Sequence, residues 1–358
     1  MTARTSDVAM LGGGLIGRSA ALACARRGLT VTLFDTREAG ESSPAGAGML
    51  APAMEGDGSP SEKLLIAGRD LWPSYVAELA ALSPVHVHLS RDGILALSHD
   101  RDEAERQRHP APGRPRWRSS AELTALEPGL RALDGGVLHE LDGAVDNVAV
   151  IAALDAALAA ESRVARVGPA RGVERDGHHV RVLGQGGSAH LVHSAVVAAG
   201  AWAPQLSGLP RRLPVEPVRG EMIGFPIAAT RHCIYGNGAY VVARPGGRTI
   251  VGATMDRVGF DASTTAGARQ ELHAAAAAFL PELAKVEPDA HWAGLRPMSP
   301  DGLPILGPDP QWPAIIYATG HSRNGILLTP MTASAVADWA SGAPAAFDFS
   351  PFRPDRFE

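Results

Sequence analysis

The sequence predicts a mixed α/β (α+β) fold in two discontinuous domains, and three observations carry the prediction. At the N-terminus the apolar run Val8–Leu11 enters Gly12-Gly13-Gly14-Leu15-Ile16-Gly17, small residues follow, and Val31–Phe34 closes on Asp35. That is the order of a strand–helix–strand unit on a parallel sheet. Near the C-terminus, Ile315–Ala318 reads as a further buried strand, followed by the Gly/Arg-rich stretch His321–Leu328 and a helix. Between these ends, Val218–Phe225, Tyr240–Ala243 and Thr249–Gly252 have the composition of antiparallel strands separated by glycine turns.

In chain order, the small residues Ser19–Arg27 predict a helix, and Gly28 can take the left-handed conformation that ends it. Residues 63–82 carry helical periodicity. From Asp100 to Trp117 the composition turns to Arg, His, Pro and Gly, the mark of an exposed loop. Ser119 and Glu122 have the spacing of a capping box for a short helix to Leu126. Asp146 or Asn147 can cap the alanine-rich helix that ends at Ala160. Short strands then lead to Ala195–Ala199 and Gly200-Ala201-Trp202, and Gly246-Gly247 joins the last two antiparallel strands. A helix from Thr265 to Leu280 precedes Pro281, and Thr329-Pro330 has the cap-then-proline form that opens a helix to Trp339.

At 358 residues and 45% hydrophobic content the chain can bury a large core. A formal charge of −5 argues against a nucleic-acid surface, so the Arg-rich stretch 101–118 is read as solvated. Only Lys63 and Lys285 are lysines. The two cysteines, Cys24 and Cys233, form neither C-x-x-C nor a metal spacing, which fits a reducing cytosol. Val8–Ile16 is too short to span a bilayer, and neither signal peptide nor fixed-period repeat is read; the expected location is cytoplasmic, with no membrane partner. His86 and His88 alternate on an expected strand and share a face, but no third ligand has a sensible spacing, so no metal site is expected. His178-His179 follow the turn Asp176-Gly177.

Gly12-x-Gly14-x-x-Gly17 lets the backbone turn tightly and approach a pyrophosphate, with the next helix directing its N–H groups at the phosphates. Asp35 lies eighteen positions past Gly17 (35 − 17), close to the spacing of a carboxylate that binds a ribose hydroxyl. These residues predict a dinucleotide site and leave NAD and FAD open.

Five further segments narrow the choice: Ser42–Leu50, Pro217-Val218-Arg219-Gly220-Glu221, Val251-Gly252-Ala253-Thr254-Met255, Gly294-Leu295-Arg296-Pro297 and His321-Ser322-Arg323-Asn324-Gly325-Ile326-Leu327-Leu328. Together they resemble the D-amino-acid-oxidase superfamily of FAD enzymes, and within it the glycine oxidases of the thiamine pathway, over residues 7 to 341. The resemblance implies a Rossmann-like FAD-binding domain from residues 1–82, 142–215 and 291–358, and a substrate domain from 83–141 and 216–290. It implies Gly12, Gly14, Leu15, Ile16 and Gly17 at the pyrophosphate, and Asp35 and Thr36 at the adenosine ribose. Ser42, Ser43, Ala47, Gly48 and Met49 would line the flavin's path, with Ala170 at the adenine and Gly200 beside the cofactor. His321, Ser322, Arg323, Asn324, Gly325, Ile326 and Leu327 would wrap the isoalloxazine. The FAD would be non-covalent, because sarcosine oxidases attach it through a cysteine near the 294–297 segment and no cysteine lies beyond Cys233.

The implied activity is oxidation of glycine, with sarcosine and small D-amino acids, to the imine and glyoxylate, with O2 reduced to H2O2. The alternative is a D-amino-acid or N-methyl-amino-acid oxidase or dehydrogenase on the same fold. Such chemistry needs positioning more than a dedicated acid–base pair. Arg296 is expected to take the substrate carboxylate in a bidentate fork; Tyr240 would help hold it and Arg323 would reach the same region. Met49 and Met255 would close the apolar side. The N–H groups around Asn324-Gly325 and the start of the last helix would face charge developing on the flavin. Gly238, two residues before Tyr240, stands where the family can carry a histidine, which predicts a wider pocket or a freer loop. A homo-oligomer, a tetramer among the options, and hand-over of the imine to a thiazole synthase complete what the resemblance implies.

Overall fold

The computed structural model describes residues 4–55, 60–98, 117–131 and 134–358. Of the expected loop Asp100–Trp117 and the Arg-rich stretch 101–118, only Trp117 and Arg118 fall among the described residues; both lie in the strand Trp117–Ser119.

Arg4–Leu11 pairs in parallel with Val31–Phe34 on one side and Ala189–Val197 on the other. Val164–Val167 extends the sheet beyond Val31–Phe34, and Ile315–Thr319 joins it beside Ala189–Val197, so both chain ends contribute. Alternate residues serve opposite faces. Val8, Met10, Leu33 and Ile316 pack under the helices Leu15–Arg26, Asn147–Ala160 and Thr329–Ala340, whereas Ala9, Leu11, Phe34 and Tyr317 pack against the antiparallel strands Ala170–Asp176 and His179–Gly184. Burial on both faces explains why the second half of the first strand, Val8–Leu11, is an unbroken apolar run, whereas Arg4–Asp7 before it are polar.

The first helix begins at Leu15, four residues before the expected Ser19, because the tight turn is complete at Gly14 and Gly17 sits within the helix. Its other end follows expectation: Gly28 at φ 88° donates to Ala25 O and Leu29 donates to Cys24 O, a Schellman closure. The periodic stretch 63–82 is two helices, Pro60–Asp70 and Trp72–Leu82, broken ahead of Pro73, which has no N–H to continue the ladder. Ser119 and Glu122 form both halves of the capping box. Asp146, not Asn147, caps its helix through the N–H groups of Val148 and Ala149 at 3.1 Å. Asp146→Ala is therefore expected to lower the unfolding free energy by about 1 kcal/mol, measured by urea unfolding.

The second sheet runs in the order Ala290–Met298, Glu216–Phe225, Arg248–Gly252, Ala239–Arg244, Cys233–Gly236, Ile94–Ser98, Gly135–His139, Trp117–Ser119. One face packs Ile223, Phe225, Val241 and Val251 under the helix Ala266–Phe279, while Met222, Val242 and Cys233 occupy the face that looks toward Ala47 and Ala51. Ala290–Met298 pairs with Glu216–Phe225 along its whole length, so the expected boundary at 290/291 falls inside a strand of this sheet. The tip of the hairpin Cys233–Gly236/Ala239–Arg244 is Asn237-Gly238, both at positive φ (49° and 74°), as a two-residue type I′ turn requires. Gly238 is thus a turn residue. His86 and His88 are not on a strand; they are exposed in the extended segment before Leu89–Ser90. Among the described residues no group of three His, Cys, Asp or Glu could hold a metal ion, and no helix is long and apolar enough to cross a membrane.

Candidate active site

A cavity of about 460 Å3 runs from the carboxyl ends of the parallel strands to the inner face of the second sheet. One end is walled by Gly12, Gly13, Gly14, Leu15, Ile16, Asp35, Thr36, Ala170 and Gly200. Gly12 has φ 118°, and a Cβ there would lie 2.5 Å from Ala198 O, so only glycine allows this turn. Gly14, the helix N-cap, offers no side-chain acceptor of its own; Ser43 Oγ takes the Leu15 N–H, and the rest of the first turn and its dipole face an anion without a side-chain cap from Gly14.

Ser42, Ser43, Ala47, Gly48 and Met49 form the middle of the wall. Their segment is tied down from three directions. Ser43 Oγ accepts from Leu15 N–H at 3.0 Å, Asn147 Nδ2 donates to Ser43 O at 2.7 Å, and Trp292 Nε1 donates to Ala45 O at 3.0 Å. Arg244 donates to Val145 O at 3.0 Å and also to Gly46 O and Asn147 Oδ1, bolting the second sheet to this segment. On the far side lie His321, Ser322, Arg323, Asn324, Gly325 and Ile326, whose loop is steadied by Trp72 Nε1 donating to Leu327 O at 3.0 Å.

Tyr240, Arg296 and Arg323 meet at the end of the cavity formed by the second sheet. Arg296 donates through Nη1 to Thr254 O at 3.1 Å and lies flat on Gly220, where a Cβ would come 2.2 Å from Nη1. The Tyr240 ring lies over Gly252 in the same manner, a Cβ there being 2.6 Å from the hydroxyl. Burial pushes the Tyr240 hydroxyl above its ordinary value, against the pull of Arg296, which it contacts, and of Arg323 and Arg244; it stays a protonated donor at neutral pH.

Several expectations are corrected. Gly17 and Leu327 do not reach the cavity wall: Gly17 faces Gly12 O, and Leu327 is buried in the core under the helices. Met255 is 52% exposed and lines nothing here, and Gly238 is likewise outside the wall. The N–H of Asn324 is spent on His321 O. Conversely, Tyr235, Met222 and Ala51 line the cavity near Tyr240 and were missed. A signal for Tyr235 was present, because a two-residue Asn-Gly turn pairs Tyr235 with Tyr240 across the hairpin and so puts both rings on one face.

His321 is 3% exposed, bonded through Nε2 to Thr332 Oγ1 at 3.1 Å, and burial pushes it down to about 3. It is neutral at working pH and is no general acid. Because the folded state disfavours the proton that the unfolded imidazole takes up below about pH 6.5, its stabilising contribution is full above that pH and is lost as pH falls toward 3. The stability difference between wild type and His321→Gln should shrink on acidification by up to ~1.4 kcal/mol per pH unit. Urea unfolding from pH 7 to pH 4.5 would refute this by a pH-independent difference.

The comparisons agree with this geometry. Residues 7–339 match the model of the FAD dependent oxidoreductase family. The chain is 34% identical to the glycine oxidase of Geobacillus kaustophilus, covering 97% of this chain and 96% of that one. The crystal structure of glycine oxidase from that organism superposes with a TM-score of 0.90 over 99% of both chains at 33% identity. Iminodiacetate oxidase from Chelativorans sp. BNC1 gives 0.88 at 27% identity over 97% of this chain and 98% of that one. The Bifunctional protein ThiO/ThiG of Synechocystis is 33% identical across 99% of this chain, which spans 54% of that protein. Matches over this much of the chain make the protein a member of the FAD dependent oxidoreductase family, with FAD as its cofactor.

Proposed function

We propose that the protein oxidatively deaminates glycine, and also sarcosine and small D-amino acids, taking up O2 and water and yielding glyoxylate, ammonia and H2O2 from glycine. The observation that carries this reading is one continuous cavity with a dinucleotide-type loop at one end and Arg296, Tyr240 and Arg323 at the other. The residues fit FAD: the helix start after Gly14, where only the Leu15 N–H is taken by Ser43, suits a pyrophosphate, and Asp35 and Thr36 stand beside it for a ribose. The other cavity-lining residues expected at the cofactor, from Ser42 to Met49 and from His321 to Ile326 with Ala170 and Gly200, are assigned to it in the same proposal.

FAD, when bound, supplies the two-electron acceptor. The chain's part is to bind, orient and dehydrate the substrate. Arg296 takes the carboxylate, since a guanidinium fork matches it bidentately and Gly220 leaves room for the fork to lie flat. Tyr240 donates to the same carboxylate and Arg323 adds its positive field. Met49, Met222 and Tyr235 keep the amine in apolar surroundings, which disfavours the ammonium and raises the reactive neutral amine. Tyr240→Phe is expected to raise KM for glycine about tenfold with a smaller change in kcat, as loss of one hydrogen bond to a charged group implies.

Adding glycine anaerobically to the purified protein tests the reading. Bleaching of the visible flavin band, with recovery in air, is expected. Absence of bleaching by glycine would sink the assignment and favour an oxidase or dehydrogenase of N-substituted or bulkier D-amino acids, a second reading that the likeness to iminodiacetate oxidase supports.

The same proposal includes non-covalent FAD, for which the burial of both cysteines speaks; flavin colour should leave the pellet on acid precipitation. It includes a substrate domain built on the second sheet, with the 290/291 boundary moved past Met298, and a cytoplasmic homo-oligomer. The likeness to the Bifunctional protein ThiO/ThiG supports delivery of the imine to thiazole synthesis.

A further inference from the structure

Arg18 is 1% exposed and lies in the second turn of Leu15–Arg26, among Leu15, Gly17, Ser19, Ala20 and Leu22, all buried. A guanidinium costs several kcal/mol to bury unless it is paired. Two carboxylates pair it. Nε donates to Asp155 Oδ1 at 2.8 Å, and Nη2 donates to Asp35 Oδ2 at 3.4 Å. Arg166 binds Asp155 from outside, and Arg37 lies 4.0 Å from its other oxygen, so Asp35, Arg18, Asp155 and these two arginines form a chain of alternating charge from the cavity wall to the surface. Asp35 itself is pressed against the glycine loop, where a Cβ on Gly13 would lie 2.0 Å from its Cγ.

We infer that Arg18 is a positioning residue for the cofactor: from behind the wall it holds the Asp35 carboxylate aimed at the adenosine ribose of FAD, while Asp155 fixes Arg18. The inference rests on reading Asp35 as the ribose acceptor. Without the clamp, Asp35 is free to rotate about χ1 and χ2, and the ordering it needs is lost at binding. The pair joins the helix Leu15–Arg26 to the residue that follows the strand Val31–Phe34.

The test is FAD binding to apoprotein, read by flavin fluorescence, for Arg18→Met, Asp35→Asn and the double variant. Arg18→Met is expected to weaken binding about tenfold, equivalent to ~1.4 kcal/mol. In the Asp35→Asn background the same change should cost less than about twofold, because the two residues act as one unit. Equal weakening in both backgrounds would mean that Arg18 acts only by supporting the helix, and would overturn the inference. So would wild-type binding by Arg18→Met when Asp35→Asn binds weakly. Wild-type binding by Asp35→Asn would instead remove the underlying assignment of Asp35, and the inference with it. If Arg18→Met does not fold, Asp155→Asn takes its place: about threefold weakening with Asp35 present and none with Asp35→Asn is expected, and any other pattern refutes the clamp.

Discussion

Arg296→Leu is expected to lower kcat/KM for glycine by about three orders of magnitude, ~4 kcal/mol, because truncating one partner of a desolvated charge pair leaves the other charge uncompensated. The carboxylate would enter a site whose remaining donor at that end, Tyr240, is neutral and whose other guanidinium, Arg323, lies on the loop His321–Ile326. Leucine approximates the volume of the arginine stem, so the strand Ala290–Met298 should keep its pairing and the protein its flavin. Arg296→Lys should recover only part of the loss, since an ammonium keeps the charge without the planar fork that lies on Gly220. Steady-state kinetics with glycine decide it. A fall of less than tenfold in Arg296→Leu, with FAD content unchanged, would remove Arg296 from the carboxylate site.

Gly17→Ala should have the second large effect, on cofactor retention. In a helix interior this exchange ordinarily favours alanine by ~1 kcal/mol. Here the added Cβ would come 1.8 Å from Gly12 O, so either the helix Leu15–Arg26 must move off the strand Arg4–Leu11 or the glycine turn must open. Overpacking of this kind costs ~1–3 kcal/mol, and both relaxations displace the N–H groups proposed for the phosphates. The expected result is a lower melting temperature together with at least tenfold weaker FAD binding, by the affinity arithmetic of a displaced anion site. A stabilised variant with full flavin content would show that Gly17 has no packing role.

The strand–turn–helix–strand at the N-terminus, the capping box at Ser119, a cap at Asp146 or Asn147 and the existence of the last helix were legible because each is a local pattern, although Thr329 proved to be the first residue of that helix and Leu328 its cap. Hydrophobic period, turn chemistry and cap residues act within a few positions along the chain. Element ends were less legible. The stretch 63–82 kept one period while Pro73 divided it, and Ser19 concealed a helix that starts at Leu15. At the site, the resemblance named Arg296, Tyr240 and Arg323, and the cavity gathers all three. It misplaced Met255, which the course of the loop after Gly252 leaves in solvent; where a wider pocket or a freer loop is expected, Gly238 lies outside the cavity, at the tip of a turn.

The sequence by itself carried the glycine loop and Asp35 through residue type at fixed spacing, whereas the arginine–tyrosine set came from the resemblance. Only the tertiary structure decided that Gly17 packs against Gly12, that Met222 lines the cavity, and that Arg18 stands behind Asp35. Those relations join residues on different elements. They depend on how closely backbones approach and which face of a strand looks inward, and such distances exist only once the sheets have packed.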